Sequence, residues 1–224
     1  MKLFLLISLF YVQLYAFGQQ QRSYQVSIDG SNKAIISQKQ AKEKLDKGLT
    51  KESYPLIFNA ISSDSSSHRS YELLFRASLT DQNYSDSILN HFIQGKQIFG
   101  LDDELCFYIA ELYRYRKDYK KSISEYTDAI KLSSNFNTKS EQYIQYFAGR
   151  GYSYVKTNKF TDAISDYSVY LKDRPEDCAI LINRGVCYQK KGNIDLAIAD
   201  WKKAALLGNL TAKAYLKNIS QNKH

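Results

Sequence analysis

The chain has 224 residues, 44% of them apolar and 24% charged, with only 10 glycines and 2 prolines. Such a composition excludes a disordered or collagen-like chain, and so few turn-forming residues favour helices with short connections over an all-β design. Three histidines and three cysteines leave little stock for a metal site or a disulfide scaffold, and the formal net charge is +8.

The first element is a leader. Lys2 precedes an apolar run from Leu3 to Phe17, interrupted only by Ser8 and Gln13, and the small residues Ala16 and Gly18 stand at −3 and −1 of a cleavage point. This is the pattern of a secretory signal peptide, here residues 1–18. The run is shorter than the roughly 20 residues a bilayer span needs; the alternative is an uncleaved anchor. The expected location is therefore exported: periplasmic, cell-surface or secreted, in a bacterial setting. Export permits disulfides, but Cys106, Cys178 and Cys187 are odd in number and form no CxxC pair. On one helix Cys178 and Cys187 would lie roughly 13 Å apart, too far to bridge, so all three are read as packing residues.

Residues 19–36 alternate briefly at Tyr24, Val26 and Ile28 and are expected to be mostly irregular. Residues 37–68 hold a weak, degenerate helical repeat around Gly48 and Ala60, with a polar Ser-rich linker from Ser62 to Ser67.

The strongest signal is an internal repeat. Shifted by 34 residues, Arg150-Gly151-Tyr152-Ser153-Tyr154 falls on Arg184-Gly185-Val186-Cys187-Tyr188, and Ala163-Ile164-Ser165-Asp166-Tyr167 falls on Ala197-Ile198-Ala199-Asp200-Trp201 without a gap. An upstream copy, Ser122-Ile123-Ser124-Glu125-Tyr126, precedes its match by 41 residues, and the excess is read as an insertion at 137–143. A weaker copy places Ile88 and Phe92 34 residues before Ser122 and Tyr126. Within the last unit, Leu181, Gly185 and Tyr188 make one helical stripe and Ala197, Trp201 and Ala204 another, separated by Gly192-Asn193, where Asn193 can cap the second helix. Small residues at 185, 197 and 204 permit close helix crossing beside Trp201. A hairpin of this kind cannot bury its apolar face alone, so neighbours must stack. After the last unit, Ala212, Tyr215, Leu216 and Ile219 form a short amphipathic helix, with Thr211 as its candidate cap.

These residues resemble the tetratricopeptide repeat. One unit matches its pattern at Phe147, Gly151, Tyr154, Ala163, Tyr167 and Pro175, and the next at Leu181, Gly185, Tyr188, Ala197, Trp201 and Ala204. Arg150 and Arg184 replace the usual Leu before the Gly, Gly208-Asn209 replaces the terminal Pro, and Ala110 replaces the Gly in the unit upstream. The resemblance implies an all-α, right-handed superhelix of antiparallel helix pairs. Its units are a degenerate one at 69–102, then 103–136, 144–177 and 178–211, with a capping helix and tail at 212–224.

Chemistry-bearing motifs are absent. His68, His91 and His224 make no HExxH, and there is no Gly-rich phosphate loop or GxSxG elbow. Asp102-Asp103-Glu104 reads as a helix start rather than a catalytic pair. No catalytic, cofactor or metal residue is assigned, and an enzyme is not expected. Lysines 42, 44, 47, 51, 120, 121, 202 and 203 are scattered rather than clustered, which reads as a solvated basic face and not a nucleic-acid site.

In tetratricopeptide arrays the first helices of successive units line a concave groove that holds a peptide or a partner's helix. Carried over, that groove is lined by Phe107, Tyr108, Glu111 and Tyr115, then Ala148, Tyr152 and Lys156, then Ile182, Asn183, Val186 and Lys190. One subtype clamps a C-terminal carboxylate with Lys and Asn; Phe107 and Glu111 occupy those places here, so that mode is not supported. The resemblance therefore implies an exported protein-interaction module and scaffold. The alternative is an envelope-surface carrier or assembly subunit that binds acidic lipid or glycan through its basic face. High salt separates the two, because it screens adhesion to an acidic surface and spares an aromatic groove.

Overall fold

The computed structural model describes residues 28–100, 102–134 and 143–221. The leader at 1–18 and the insertion at 137–143, Tyr143 apart, lie outside the described residues. Those described form eleven α-helices and no strand. They are α1 (Ile28–Asp46), α2 (Thr50–Ser63), α3 (His68–Asp81), α4 (Asp86–Phe99), α5 (Asp103–Tyr115) and α6 (Tyr119–Ser134), followed by α7 (Tyr143–Lys156), α8 (Phe160–Asp173), α9 (Cys178–Lys190), α10 (Ile194–Leu206) and α11 (Leu210–Gln221). The chain divides into two compact units, with the boundary between Leu73 and Leu74 inside α3.

In the first unit α1 packs against α2. The buried face of α1 is Ala34, Ser37, Ala41 and Leu45, spaced by three and four. One polar bond closes the hairpin, Asn59 Nδ2 donating to Ser37 Oγ at 3.1 Å, and Gln38 Nε2 reaches past it to Ser67 Oγ at 2.7 Å and to Ser70 Oγ in the first turn of α3 at 2.9 Å. The expectation of an irregular 19–36 segment is corrected over 28–36, which is helical. Before Leu45 the helical stripe here is made of Ala and Ser, while Ile28, Ile35 and Ile36 are exposed, so the large apolar residues of the first turns mark the wrong face.

From α3 onward, helix pairs α3–α4, α5–α6, α7–α8 and α9–α10 begin within one residue of positions 69, 103, 144 and 178, the last three pairs lying wholly in the second unit. The last three pairs pack internally as hairpins, each first helix also rests on the second helix before it, and α11 covers α10. Each of these first helices ends in the same way. Asp118, Lys159 and Asn193 donate their backbone N–H to the carbonyls of Tyr113, Tyr154 and Tyr188 at 2.9 Å. The residue before each donor is left-handed: Lys117 (φ 63°), Asn158 (φ 59°) and Gly192 (φ 80°). This is the six-to-one closure that reverses a chain after a helix, and it falls at one repeat position whether or not a glycine is there.

Helix starts are capped less uniformly. Asp102 Oδ1 accepts from Leu105 N at 2.8 Å, as expected for the acidic start of α5. Asp177 caps α9 through Ala179 and Ile180. Asn193 stands at the cap of α10, yet its side chain makes no cap hydrogen bond. Thr211 does not cap α11; Asn209 Oδ1 does, accepting from Ala212 N at 3.1 Å, because the helix begins at Leu210.

The core joins large rings to small residues. Tyr126, Tyr167 and Trp201, at one position of three second helices, are all 0% exposed. A side-chain carbon at Gly151 would lie 2.8 Å from the Tyr167 ring, and one at Gly185 would lie 2.8 Å from Trp201 Cδ1. We therefore expect Gly185→Leu to lower stability by about 3 kcal/mol, as overpacking against a ring that cannot retreat. An unchanged denaturant midpoint would contradict the register.

The arginines that replace Leu are explained by a second repeated device. Arg150 grips Asp166 through Nε and Nη2, both at 2.8 Å, and Arg184 grips Asp200 at 2.8 and 2.7 Å. The remaining guanidinium nitrogen reaches back to the preceding second helix, Arg150 to Thr127 Oγ1 at 3.1 Å and Arg184 to Ser168 Oγ at 3.0 Å. Asp200's hydrogen bonds hold the Arg184 guanidinium above its ordinary pKa. In the α5–α6 unit the acid at this position is Glu125, and its cation is Lys96 of α4 at 2.7 Å. The three cysteines are free, with Cys106 and Cys187 buried; burial pushes both thiols up to about 11, which suits packing rather than reactivity.

Candidate functional site

The first helices α5, α7 and α9 adjoin one another in sequence order, and between them lies a cleft of about 320 Å³. Its walls come from Phe107, Glu111 and Arg114 on α5, Gln145, Ala148, Gly149 and Tyr152 on α7, and Ile180 and Asn183 on α9, with Tyr167 of α8. A spacing of four, close to one turn of an α-helix, brings Phe107 and Glu111, and likewise Ala148 and Tyr152, onto one helical face.

Glu111 is 8% exposed at this wall. Its carboxylate accepts from Arg114 Nε at 3.0 Å, from Arg114 Nη2, and from the Tyr126 hydroxyl. Burial pushes the Tyr126 phenol well up, and the Glu111 charge adds to it, so the hydroxyl keeps its proton and donates. Burial alone would lower the Arg114 guanidinium, but its bonds to Glu111 outweigh that and raise it. Glu111 and Arg114 thus form a fixed, mutually neutralised pair.

Tyr167 occupies the next unit's copy of the Tyr126 position, and the residue matching Glu111 there is Tyr152. The carboxylate that serves Tyr126 has no counterpart. The Tyr167 hydroxyl is buried without a hydrogen-bond partner, alone in this among buried side-chain oxygens and nitrogens of the described residues. Its phenol is raised by burial, so it is a donor lacking an acceptor. Trp201, at the same position one unit later, donates to the Ile182 carbonyl at 3.3 Å. At the rim, the Tyr152 ring lies 5.6 Å from the Arg114 guanidinium and 5.1 Å from Lys156 Nζ. The site therefore combines ring surfaces, two side-chain amides and an unpaired buried donor.

The structure gathers Phe107, Glu111, Ala148, Tyr152 and Asn183 of the expected groove. Lys156 reaches its edge through Tyr152. Tyr108 is a correction: it is 2% exposed and stacks on Phe75 at 4.3 Å, because one step beyond Phe107 turns it about 100° round the helix and into the core. Tyr115 is exposed but stacks on Tyr84 at 4.6 Å and does not line the cleft. Val186 packs on the α8–α11 core and Ile182 does likewise, while Lys190 is exposed and outside the cleft lining. Arg114, Gln145, Gly149, Tyr167 and Ile180 were not expected. The Glu111–Arg114 spacing of three was a readable signal for one of them; Tyr167 was readable only as core.

No family model matches the chain. A stretch of 74 residues is 36% identical to sperm-associated antigen 1 of Rattus norvegicus and 35% identical to that of Mus musculus. The chain spans only 8% of the length of these relatives, and the stretch is 33% of the chain. Among solved structures it is similar to PilF of Pseudomonas aeruginosa, with a TM-score of 0.65, 12% identity, and coverage of 80% of this chain and 78% of that one. It is similar to YrrB, described as a TPR protein with an unusual peptide-binding site, at a TM-score of 0.66, 16% identity and coverage of 85% and 95%. Yeast Tom70 gives a TM-score of 0.67 and 17% identity, over 88% of this chain and 41% of that one. Together with the paired helices, the aromatic–glycine crossings and the helical cover on the last pair, these likenesses show that the chain has the all-helical fold of the tetratricopeptide-repeat proteins.

Proposed function

We propose that this protein is an interaction module without catalytic chemistry, and that it binds a peptide or a partner's helix in the cleft formed by α5, α7 and α9. The observation that carries this reading is the Tyr167 hydroxyl, buried at the cleft without an acceptor. A buried donor left unmade costs free energy, and a peptide carbonyl would supply what Glu111 supplies to Tyr126. Gln145 and Asn183 can each donate to and accept from a main chain, and Phe107 and Tyr152 offer ring surface for a side chain. YrrB, similar in fold, has a peptide-binding site by its description.

The test begins with peptides selected on the full chain from a random display library and titrated one by one. Asn183→Ala and Tyr152→Ala should each weaken a selected peptide at least about fivefold, as anchors do. Selected peptides that bind both variants as tightly as the parent would place the binding surface elsewhere.

The same proposal includes export, on the strength of the Lys2 to Gly18 pattern. Material recovered outside the cytoplasm should begin at Gln19. Recovery only from the cytoplasm, starting at Met1, would contradict it.

A further inference from the structure

The C-terminal end carries a surface that the cleft does not use. Leu206 is 88% exposed, Leu210 77% and Leu207 44%, at the junction of α10 and α11. A second hollow of about 360 Å³ lies between these helices, lined by Lys202, Ala205, Leu206, Lys213 and Leu216. Spacing of four on α10 sets Lys202 beside Leu206, and spacing of three and seven on α11 sets Lys213 and Lys217 in line with Leu210. From Trp201 to Gln221 there is no Asp or Glu, while Lys202, Lys203, Lys213 and Lys217 fall in that span. The nearest acid before it, Asp200, is buried and consumed by Arg184. No lysine of this end is recorded in an ion pair among the described residues. The result is a leucine patch rimmed by cations, with no acid in its own stretch of chain; the acids nearest from another element are Glu176 and Asp177, before α9, whose Cys178 Sγ meets the Ala204 carbonyl.

A capping helix whose only task is to shield the last repeat should present a polar outer face. This one begins with the exposed Leu210, next to the exposed Leu206 and Leu207 at the end of α10. Apolar residues flanked by lysines and lacking acids suit the boundary of a bilayer with negatively charged headgroups: the leucines enter the headgroup–acyl boundary and the ammonium groups meet the lipid phosphates. A protein partner would have to bring a matching acidic rim of its own, whereas an anionic leaflet supplies one by composition. No helix of the described residues is long and apolar enough to cross a membrane, so the contact is interfacial.

We propose that the α10–α11 end docks on an anionic lipid surface through Leu206, Leu207 and Leu210, with Lys202, Lys213 and Lys217 as its electrostatic rim. The cleft on the first helices is left free by this contact, because it is built from other elements.

The chain's single tryptophan, Trp201, lies on α10 and provides a local reporter. Full-length protein is titrated with vesicles of brominated phosphatidylcholine containing 30% brominated phosphatidylglycerol, and quenching of Trp201 is followed. Quenching is expected with these vesicles and not with pure phosphatidylcholine, and it should fall at least about tenfold in apparent affinity in high salt. The paired variant Leu206→Asp with Leu210→Asp, and separately Lys202→Gln with Lys213→Gln, should each lose at least about tenfold while melting like the parent, since all four side chains are on the surface. Equal quenching by neutral vesicles, or unaltered affinity in both variants, would overturn the proposal. Vesicle binding without Trp201 quenching would place the contact at another part of the chain and would also overturn it. So would a concentration-dependent dimer in sedimentation that Leu206→Asp with Leu210→Asp abolishes, for then the patch is covered by a second copy.

Discussion

Arg184→Ala should lower the unfolding free energy by about 3–5 kcal/mol and move the denaturant midpoint accordingly, because it strands the Asp200 carboxylate, 6% exposed, without its two-pronged partner. The cost comes from the charge left behind, not from the strength of the pair. Removing both charges, as Arg184→Met with Asp200→Leu, should therefore recover most of the loss. Ser168 loses a donor in both cases, so recovery is not complete. Arg150→Ala should behave in the same way through Asp166, which is 4% exposed. A cost below about 1 kcal/mol for both single variants would mean that these pairs are exchangeable surface contacts.

Substitutions at Tyr167 should give opposite signs. Tyr167→Ala removes a fully buried ring from between α7 and α9 and should cost about 3–5 kcal/mol. Tyr167→Phe keeps the ring and deletes only the unpartnered hydroxyl, so the free protein should gain about 1 kcal/mol. If the hydroxyl is completed by a bound peptide, that same Phe variant should bind selected peptides at least about fivefold more weakly. A variant more stable and less able to bind is the mark of strain kept for a ligand. Tyr152→Ala, at the rim between Arg114 and Lys156, should change stability by under about 1 kcal/mol and act on binding instead. Loss of stability in Tyr167→Phe would show that the hydroxyl is satisfied and would remove the main support for the cleft.

The repeat was legible because packing imposes one spacing on many residues. Gly151, Gly185, Tyr167 and Trp201 could be paired by position alone, since each glycine exists to admit one ring. The first unit was harder: Ala34, Ser37 and Ala41 are buried by shape rather than by hydropathy, and three exposed isoleucines pull the reading toward another face. The arginine devices were seen as exceptions to a pattern, because a pattern names residue types and not partners; only the structure shows that Arg150 and Asp166 meet. The site was half legible. Helical phase separates Phe107 from Tyr108 only when the crossing angle with α3 and α4 is known, and both present aromatic rings to a sequence reading. The orphaned state of Tyr167 depends on what is missing at 152, an absence that no motif records.

The central claim is that partners enter the α5–α7–α9 cleft. A photo-crosslinking amino acid placed at position 152 on α7 reports that cleft, and one at the exposed Thr161 on α8 reports the second helices. Each is irradiated in the presence of a labelled peptide selected on the unmodified chain. Crosslinking at 152, abolished by excess unlabelled peptide and absent at 161, is the predicted result; competed crosslinking at 161 with none at 152 would contradict it.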